Sequence, residues 1–206
     1  MVAGRRLCPT KVFDTYWRFA AARQQVYQAR LRGEPGPWTA DPILATYRFT
    51  NCYRAADRVS QYLIEQVIYR GNQDADEVLF RILLFKFFNR ISTWELLLSA
   101  FGELTWARFR VDRYDQVLTQ ALSRGERIYS AAYVIPSPAF GGLRKHTNHL
   151  LLLQHMLGGG LRHRLAASAS MAAAFDVLRG YPAMGDFLAY QLLIDINYSN
   201  VINFDE

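Results

Sequence analysis

Apolar positions recur along most of the chain every three or four residues, the period of an amphipathic helix. From Val12 to Leu31 they fall at Val12, Phe13, Tyr16, Trp17, Phe19, Ala20 and Val26, with arginines opposite. Gly33-Glu-Pro-Gly-Pro37 stops that helix, since proline and glycine punctuate local structure most strongly. A short extended piece is predicted around Ile43 to Phe49. Thr50 and Asn51 follow, both good N-caps, and should open a helix running to about Arg70, ended by Gly71-Asn72. A third helix, roughly Ala75 to Arg90, has Asp74, Asp76 and Glu77 at its start, where the helix dipole favours carboxylates. From Val78 to Phe88 it is apolar almost all round, so it should lie at the centre of the core.

Further helices are predicted near Ser92 to Phe101, Asp112 to Ser123, Lys145 to Leu157, Met171 to Arg179 and Asp186 to about Tyr198. Ile135-Pro-Ser-Pro-Ala-Phe-Gly-Gly142 reads as loop, and Gly158-Gly-Gly160 as a flexible break before the basic cluster Arg162, His163 and Arg164. No internal repeat and no strong βαβ alternation appears, and no Walker-type phosphate loop is present. The expected fold class is all-α, a multi-helix bundle. Residues 1–206 should form a single helical domain, with an N-terminal helix and linker over 1–42 and the core over 43–206.

Composition narrows the partners. With 206 residues, 51% apolar and 20% charged, the chain is long enough to bury a core and is not disordered. No apolar run, Leu150 to Leu153 among them, comes near a bilayer span. No apolar segment follows Arg5 and Arg6, so no signal peptide is expected. Two cysteines, Cys8 and Cys52, fit a reducing cytoplasm better than a disulfide framework. The net charge is +6, and apart from Lys11, Lys86 and Lys145 every cation is arginine. Arginine's planar fork suits phosphate, and a basic surface favours polyanions; a GC-rich genome would enrich arginine as well.

The most informative local pattern is Phe175-Asp-Val-Leu-Arg-Gly-Tyr-Pro-Ala-Met-Gly-Asp-Phe-Leu-Ala189. One helix should end at Gly180, a tight connection use Pro182 and Gly185, and a second helix begin at once. The first amides of that second helix have no partner within it and can receive a phosphate. The pattern resembles the helix-hairpin-helix of the DNA glycosylase superfamily, whose hairpin reads Leu-Pro-Gly-hydrophobic-Gly. Ala183 stands where the first hairpin glycine belongs. Asp205 follows Gly185 at about the distance of that superfamily's catalytic aspartate, with Glu206 beside it. Phe187 replaces the lysine of the strand-cleaving members, and two cysteines exclude their four-cysteine iron–sulfur loop.

A narrower resemblance is carried by several blocks in order. Tyr47-Arg-Phe-Thr-Asn-Cys-Tyr-Arg-Ala-Ala-Asp-Arg-Val-Ser-Gln-Tyr-Leu-Ile64 resembles the signature of the 5-hydroxymethyluracil DNA kinase helical domain family. That family is also called α-glutamyl/putrescinyl thymine pyrophosphorylase. Leu84-Phe-Lys-Phe-Phe-Asn-Arg90 with Thr93-Trp94, Tyr129-Ser-Ala-Ala-Tyr133 and Lys145-His-Thr-Asn-His-Leu150 are similar to its next blocks. Phe187-Leu-Ala-Tyr-Gln191, Asp195-Ile-Asn-Tyr-Ser199 and Phe204-Asp-Glu206 are similar to its last. The family pattern runs on beyond the position of Glu206 into an acidic–aromatic stretch and a Gly-Pro-Gly loop.

The resemblance implies a transferase in which an amine or amino acid displaces pyrophosphate from the 5-hydroxymethyl group of a uracil in DNA. The implied partners are double-stranded DNA carrying the modified thymine, the amine co-substrate and a separate base kinase, with no membrane and no cofactor. Such a site needs cations for the leaving group, a base for the amine and a pocket for an extruded nucleotide. Arg54, Asp57, Arg58 and Gln61 should share one helical face below Asn51. Arg54 and Arg58 are then candidates to hold phosphate, and Asp57 to orient them or act as base; a surface Asp–Arg lattice has the same spacing. Gln191, Asp195 and Tyr198 form a polar stripe in an apolar helix, which must line a site or close into a structural network.

Lys86 and Asn89 interrupt the most apolar helix, and a lysine there must be paired or face a cavity. Lys145, His146, Asn148 and His149 are candidates to touch phosphate or cap a helix; no zinc spacing is present. Trp38 and Trp94, near loops, are candidates to stack on a base. Two other readings remain open: a glycosylase using Asp205, and a non-catalytic DNA-binding module that docks a kinase.

Overall fold

The computed structural model describes residue 6, residues 8–132 and residues 135–205. Among these there is no strand, and ten α-helices carry the architecture. The chain divides into two compact units, Met1–Arg58 and Val59–Glu206.

The first unit holds α1 (Phe13–Leu31) and α2 (Pro42–Thr46). The N-terminal half of α1's apolar stripe is exposed, at Phe13, Tyr16 and Trp17, whose rings meet edge-on. The extended piece expected over Ile43 to Phe49 is instead a short helix followed by extended chain. Asp41 explains it: its Oδ1 accepts from the Ile43 and Leu44 amides, and Pro42 sits at the first helical position, where its missing N–H costs nothing. The helix expected to open at Thr50 and Asn51 is also revised. The chain makes a 3₁₀ turn at Arg54–Ala56, and Asp57 is extended, at φ −72° and ψ 143°. Asn51 spends its side-chain amide on the Ala56 carbonyl at 2.7 Å, so it closes this turn and caps no helix.

The second unit opens with α3 (Arg58–Tyr62), which passes into a π-helical segment, Leu63–Ile68. Its centre is α4 (Ala75–Phe88), capped by Asp74 and ended by Asn89 in the left-handed region at φ 48°. Every residue from Glu77 to Phe88 is buried, as its unbroken apolar pattern requires. Around it pack α5 (Ile91–Phe101), α7 (Lys145–Gly158), α8 (Leu161–Ala166) and α10 (Asp186–Ile196), with α6 (Val111–Ser123) on α7 and α9 (Met171–Arg179) on α10. Gly159 and Gly160 separate α7 from α8, so the basic cluster after the glycines lies on a short helix.

Burial of α4 takes charged groups with it, and each finds at least one partner, although Arg81 Nη1 makes no hydrogen bond. Glu77 receives the Trp106 amide at 2.6 Å. Arg81 donates to the carbonyls of Val67 and Ile68 at 2.8 and 3.3 Å, satisfying the C-terminal end of the π segment. Burial holds the Arg81 guanidinium below its ordinary pKa, against the opposing pull of Glu77 and Glu103.

Candidate functional site

Lys86 of α4, Asn89 at the end of that helix and Asp195 of α10 converge. Lys86 Nζ lies 3.0 Å from Asp195 Oδ2 and donates to Asn89 Oδ1 at 2.8 Å. Asp195 is fully buried and Lys86 nearly so. The sequence nominated these residues separately; helix packing makes them one cluster. Asn89 acts twice, since its left-handed backbone ends α4 while its side chain takes the lysine. The unpaired ions would be costly here, so each is retained only because the other is present.

Lys86 also lines a pocket, together with Phe87, Ile135, Met184, Leu188, Gln191 and Leu192. Its empty volume is about 310 Å³, some of it open to solvent. The space in it that admits a water-sized group is only about 20 Å³, room for about one water. Its walls are apolar apart from the lysine and an amide, so a flat ring would enter only as these side chains move apart. Sequence reading assigned Phe87 to the core, Ile135 to a loop and Met184 to a turn, because nothing in a linear pattern relates segments so far apart. Tyr198 is half-buried just beyond α10, and its own amide approaches the Asp195 carbonyl at 3.4 Å.

The polar residues of α7 are placed differently. His149 is fully buried; its Nε2 lies 2.9 Å from the Pro136 carbonyl and its Nδ1 2.8 Å from the Tyr129 hydroxyl. A carbonyl only accepts, so the proton sits on Nε2, and Nδ1 accepts from tyrosine. Burial brings its pKa down to about 4, against a small rise from the Pro136 bond. Asn148 binds both the amide and the carbonyl of Gly142 and also Ser137. Both residues, expected to touch phosphate, are engaged here in pinning the 135–142 loop to α7. Lys145 places its ammonium 4.6 Å from the centre of the Tyr129 ring. His146, also buried, meets Thr119 at 3.0 Å and Asp115 at 3.2 Å. Burial lowers its pKa more than Asp115 raises it.

The remaining candidates scatter. Arg54, Asp57 and Arg58 do not share one helical face, because a 3₁₀ turn and an extended residue separate Arg54 from α3. Asp205 is exposed after Phe204, and Glu206 lies outside the described residues. Trp94 is buried against Phe85, so it is not available for a base; Trp38 is 43% exposed. Between α9 and α10, Ala183 has φ +62°, the left-handed conformation that glycine adopts most easily. Pro182 and Gly185 are exposed, Tyr181 and Met184 plug the hairpin inward, and Gly185 precedes α10 without a side-chain cap. Arg179 Nε and Asp186 Oδ1 bridge the hairpin at 2.6 Å, which places a carboxylate beside the α10 amides. No group of three or more His, Cys, Asp or Glu residues able to hold a metal occurs among the described residues. Among them, too, no helix is long and apolar enough to cross a membrane.

Residues 10–206 match the family "5-hmdU DNA kinase, helical domain". The chain belongs to that family. The matched span includes α1, which the motif blocks from Tyr47 onward did not reach. A 5-hmdU DNA kinase of Bacillus phage SP10 is 27% identical across 90% of this chain. The chain spans 31% of that relative's length. No solved structure matches. The pocket between α4 and α10 is therefore a feature of a 5-hmdU DNA kinase helical domain.

Proposed function

We propose that this domain acts on a hypermodified thymine in DNA, receiving the extruded base in the Lys86–Gln191 pocket and exchanging pyrophosphate on its 5-methylene for an amine. The observation that carries this reading is the buried Lys86–Asp195 pair bordering an apolar pocket, whose walls part to admit the ring. Gln191 offers both an amide donor and a carbonyl acceptor, as the edge of a uracil requires. Phe87, Leu188 and Leu192 would contact its faces. The neutral amine attacks the methylene carbon, the carbon–oxygen bond to pyrophosphate breaks, and its electron pair leaves with the pyrophosphate. The nitrogen then sheds its extra proton to solvent. Lys86 stabilises the charge that develops on the departing oxygen. Asp195, which does not line the pocket, is a positioning residue that holds Lys86. Ala183's left-handed turn supports the hairpin as a contact to the DNA backbone, at Pro182 and Gly185.

A second reading is favoured by the relative's name and length: the domain would present the base to a kinase elsewhere in a larger assembly. Mass spectrometry of nucleosides distinguishes them. DNA carrying pyrophosphorylated 5-hydroxymethyluracil is incubated with the protein and a mixture of amines and amino acids. An intact strand bearing a heavier, aminated nucleoside is expected. Unchanged DNA that nevertheless binds would support the presenting module. Free base with an abasic site would establish a glycosylase instead.

A further inference from the structure

The N-terminal unit holds a second concavity whose chemistry differs from that of the pocket. It lies between α1, the 36–39 segment and the extended chain after α2, and its empty volume is about 1630 Å³, part of it open solvent. Three arginines line it, Arg23, Arg30 and Arg48, and none of its lining residues is acidic. The nearby carboxylates are engaged elsewhere: Glu34 pairs with Arg32 at 2.6 Å, and Asp41 caps α2. The groove's charge is thus unopposed from within.

Aromatic rings alternate with those cations. Trp38, Tyr47 and Phe49 line the groove and are 43%, 65% and 45% exposed. Two rings carry a guanidinium, Arg30 at 5.2 Å from the Trp38 centroid and Arg23 at 5.8 Å from that of Phe49. Trp38 is further fixed by its indole N–H, which donates to the Glu34 carbonyl at 2.7 Å. A ring already held in place loses little entropy when a planar ligand stacks on it.

We infer that this groove binds a single-stranded segment of DNA, with bases on Trp38 and Tyr47 and phosphates on Arg30 and Arg48. Unopposed arginine next to exposed aromatic surface matches what unpaired polynucleotide presents, an anionic backbone and apolar base faces. A mononucleotide shares that chemistry, but three arginines and several exposed rings along the groove exceed what one base and one phosphate can engage, which favours a polymer. The inference goes beyond the pocket's proposed chemistry and does not depend on it.

Fluorescence anisotropy with the full 206-residue chain tests it, using a labelled oligothymidylate of about 16 nucleotides across about 50–200 mM salt. The Arg30→Ala/Arg48→Ala variant should weaken binding at least about tenfold at low salt. It should also flatten the log–log salt dependence by about 0.7 per phosphate contact removed. Trp38→Ala should cost on the order of tenfold and Trp38→Phe much less, with unchanged far-UV circular dichroism showing that both fold. Wild-type affinity in the arginine and Trp38→Ala variants would overturn the inference. So would thymidine monophosphate competing as tightly as the oligomer. Gln191→Leu, a pocket change, shows whether oligomer affinity arises at the pocket instead. If it alone abolishes that affinity, the strand binds at the pocket and the groove proposal fails while the pocket reading stands.

Discussion

Two sets of buried polar residues sit on neighbouring helices, and they have opposite fates. On α7, His149 and Asn148 bond to the 135–142 loop, with both ring nitrogens of His149 occupied. On α4 and α10, Lys86, Asn89 and Asp195 also pair, yet Lys86 and Gln191 still face a pocket. Both sets are polar groups on helices that also bury apolar faces, and the sequence nominates residues of each as substrate or phosphate contacts. What separates them is the remaining surface. A polar side chain whose partners are all backbone or loop is holding structure; one that borders empty space has chemistry left to offer.

The sharpest way to break this contrast is to separate the ion pair. Lys86→Met leaves the Asp195 carboxylate buried without its cation and should destabilise the domain by about 3–5 kcal/mol in urea denaturation. Adding Asp195→Leu should recover most of that loss, because the unpaired charge is removed, while turnover stays absent. Full turnover in the double variant would remove the pocket from the mechanism.

The α7 set should respond to pH and not to substrate. His149 has a folded pKa of about 4 against about 6.5 unfolded. The unfolded chain therefore binds more protons between these values, and stability falls as pH drops from about 6.5 to about 4. The full contribution is present above 6.5 and amounts to as much as about 3 kcal/mol. His146, lowered in the same direction, adds to it. His149→Gln should flatten the dependence of urea midpoints on pH in that window, leaving the part due to His146. An unchanged slope would show that His149 is not held neutral.

Gln191→Leu probes the pocket with less disturbance. Turnover or binding of base-modified DNA should fall about 10–100-fold, with melting stability changed by under about 1 kcal/mol. A stability loss as large as that of Lys86→Met would move Gln191 into the structural set. The smallest effect is expected at the hairpin. Ala183→Gly should stabilise by about 1 kcal/mol, since the strain of an L-residue at φ +62° is relieved. A destabilised Ala183→Gly would mean that its methyl group packs better than its backbone is strained.

Local chemistry was legible in the chain where it acts over one or two turns. The carboxylates that start α4 and the α9–α10 hairpin both follow from side chains within a few residues of their partners, whereas Asn89, expected inside α4, ends it. The helix expected from Asn51 failed for a local reason too. Its side-chain amide found the Ala56 carbonyl, a competing turn that N-capping residues can always form. The extended piece at Ile43 was lost to Asp41 and Pro42, a start signal that lay in view but was outweighed by β-branched and aromatic neighbours.

The sequence by itself determined an all-α protein with α4 at its centre, because helical periodicity and the apolar circumference of α4 are properties of consecutive residues. It also nominated Lys86 and Asp195, since charge in so apolar a helix must find a partner. Only tertiary packing decided that these are partners of each other, 3.0 Å apart across two helices. It likewise decided that His149 and Asn148 tie down a loop. Which buried polar group meets which depends on helix crossing and register, set by the whole core, and no single segment carries that information.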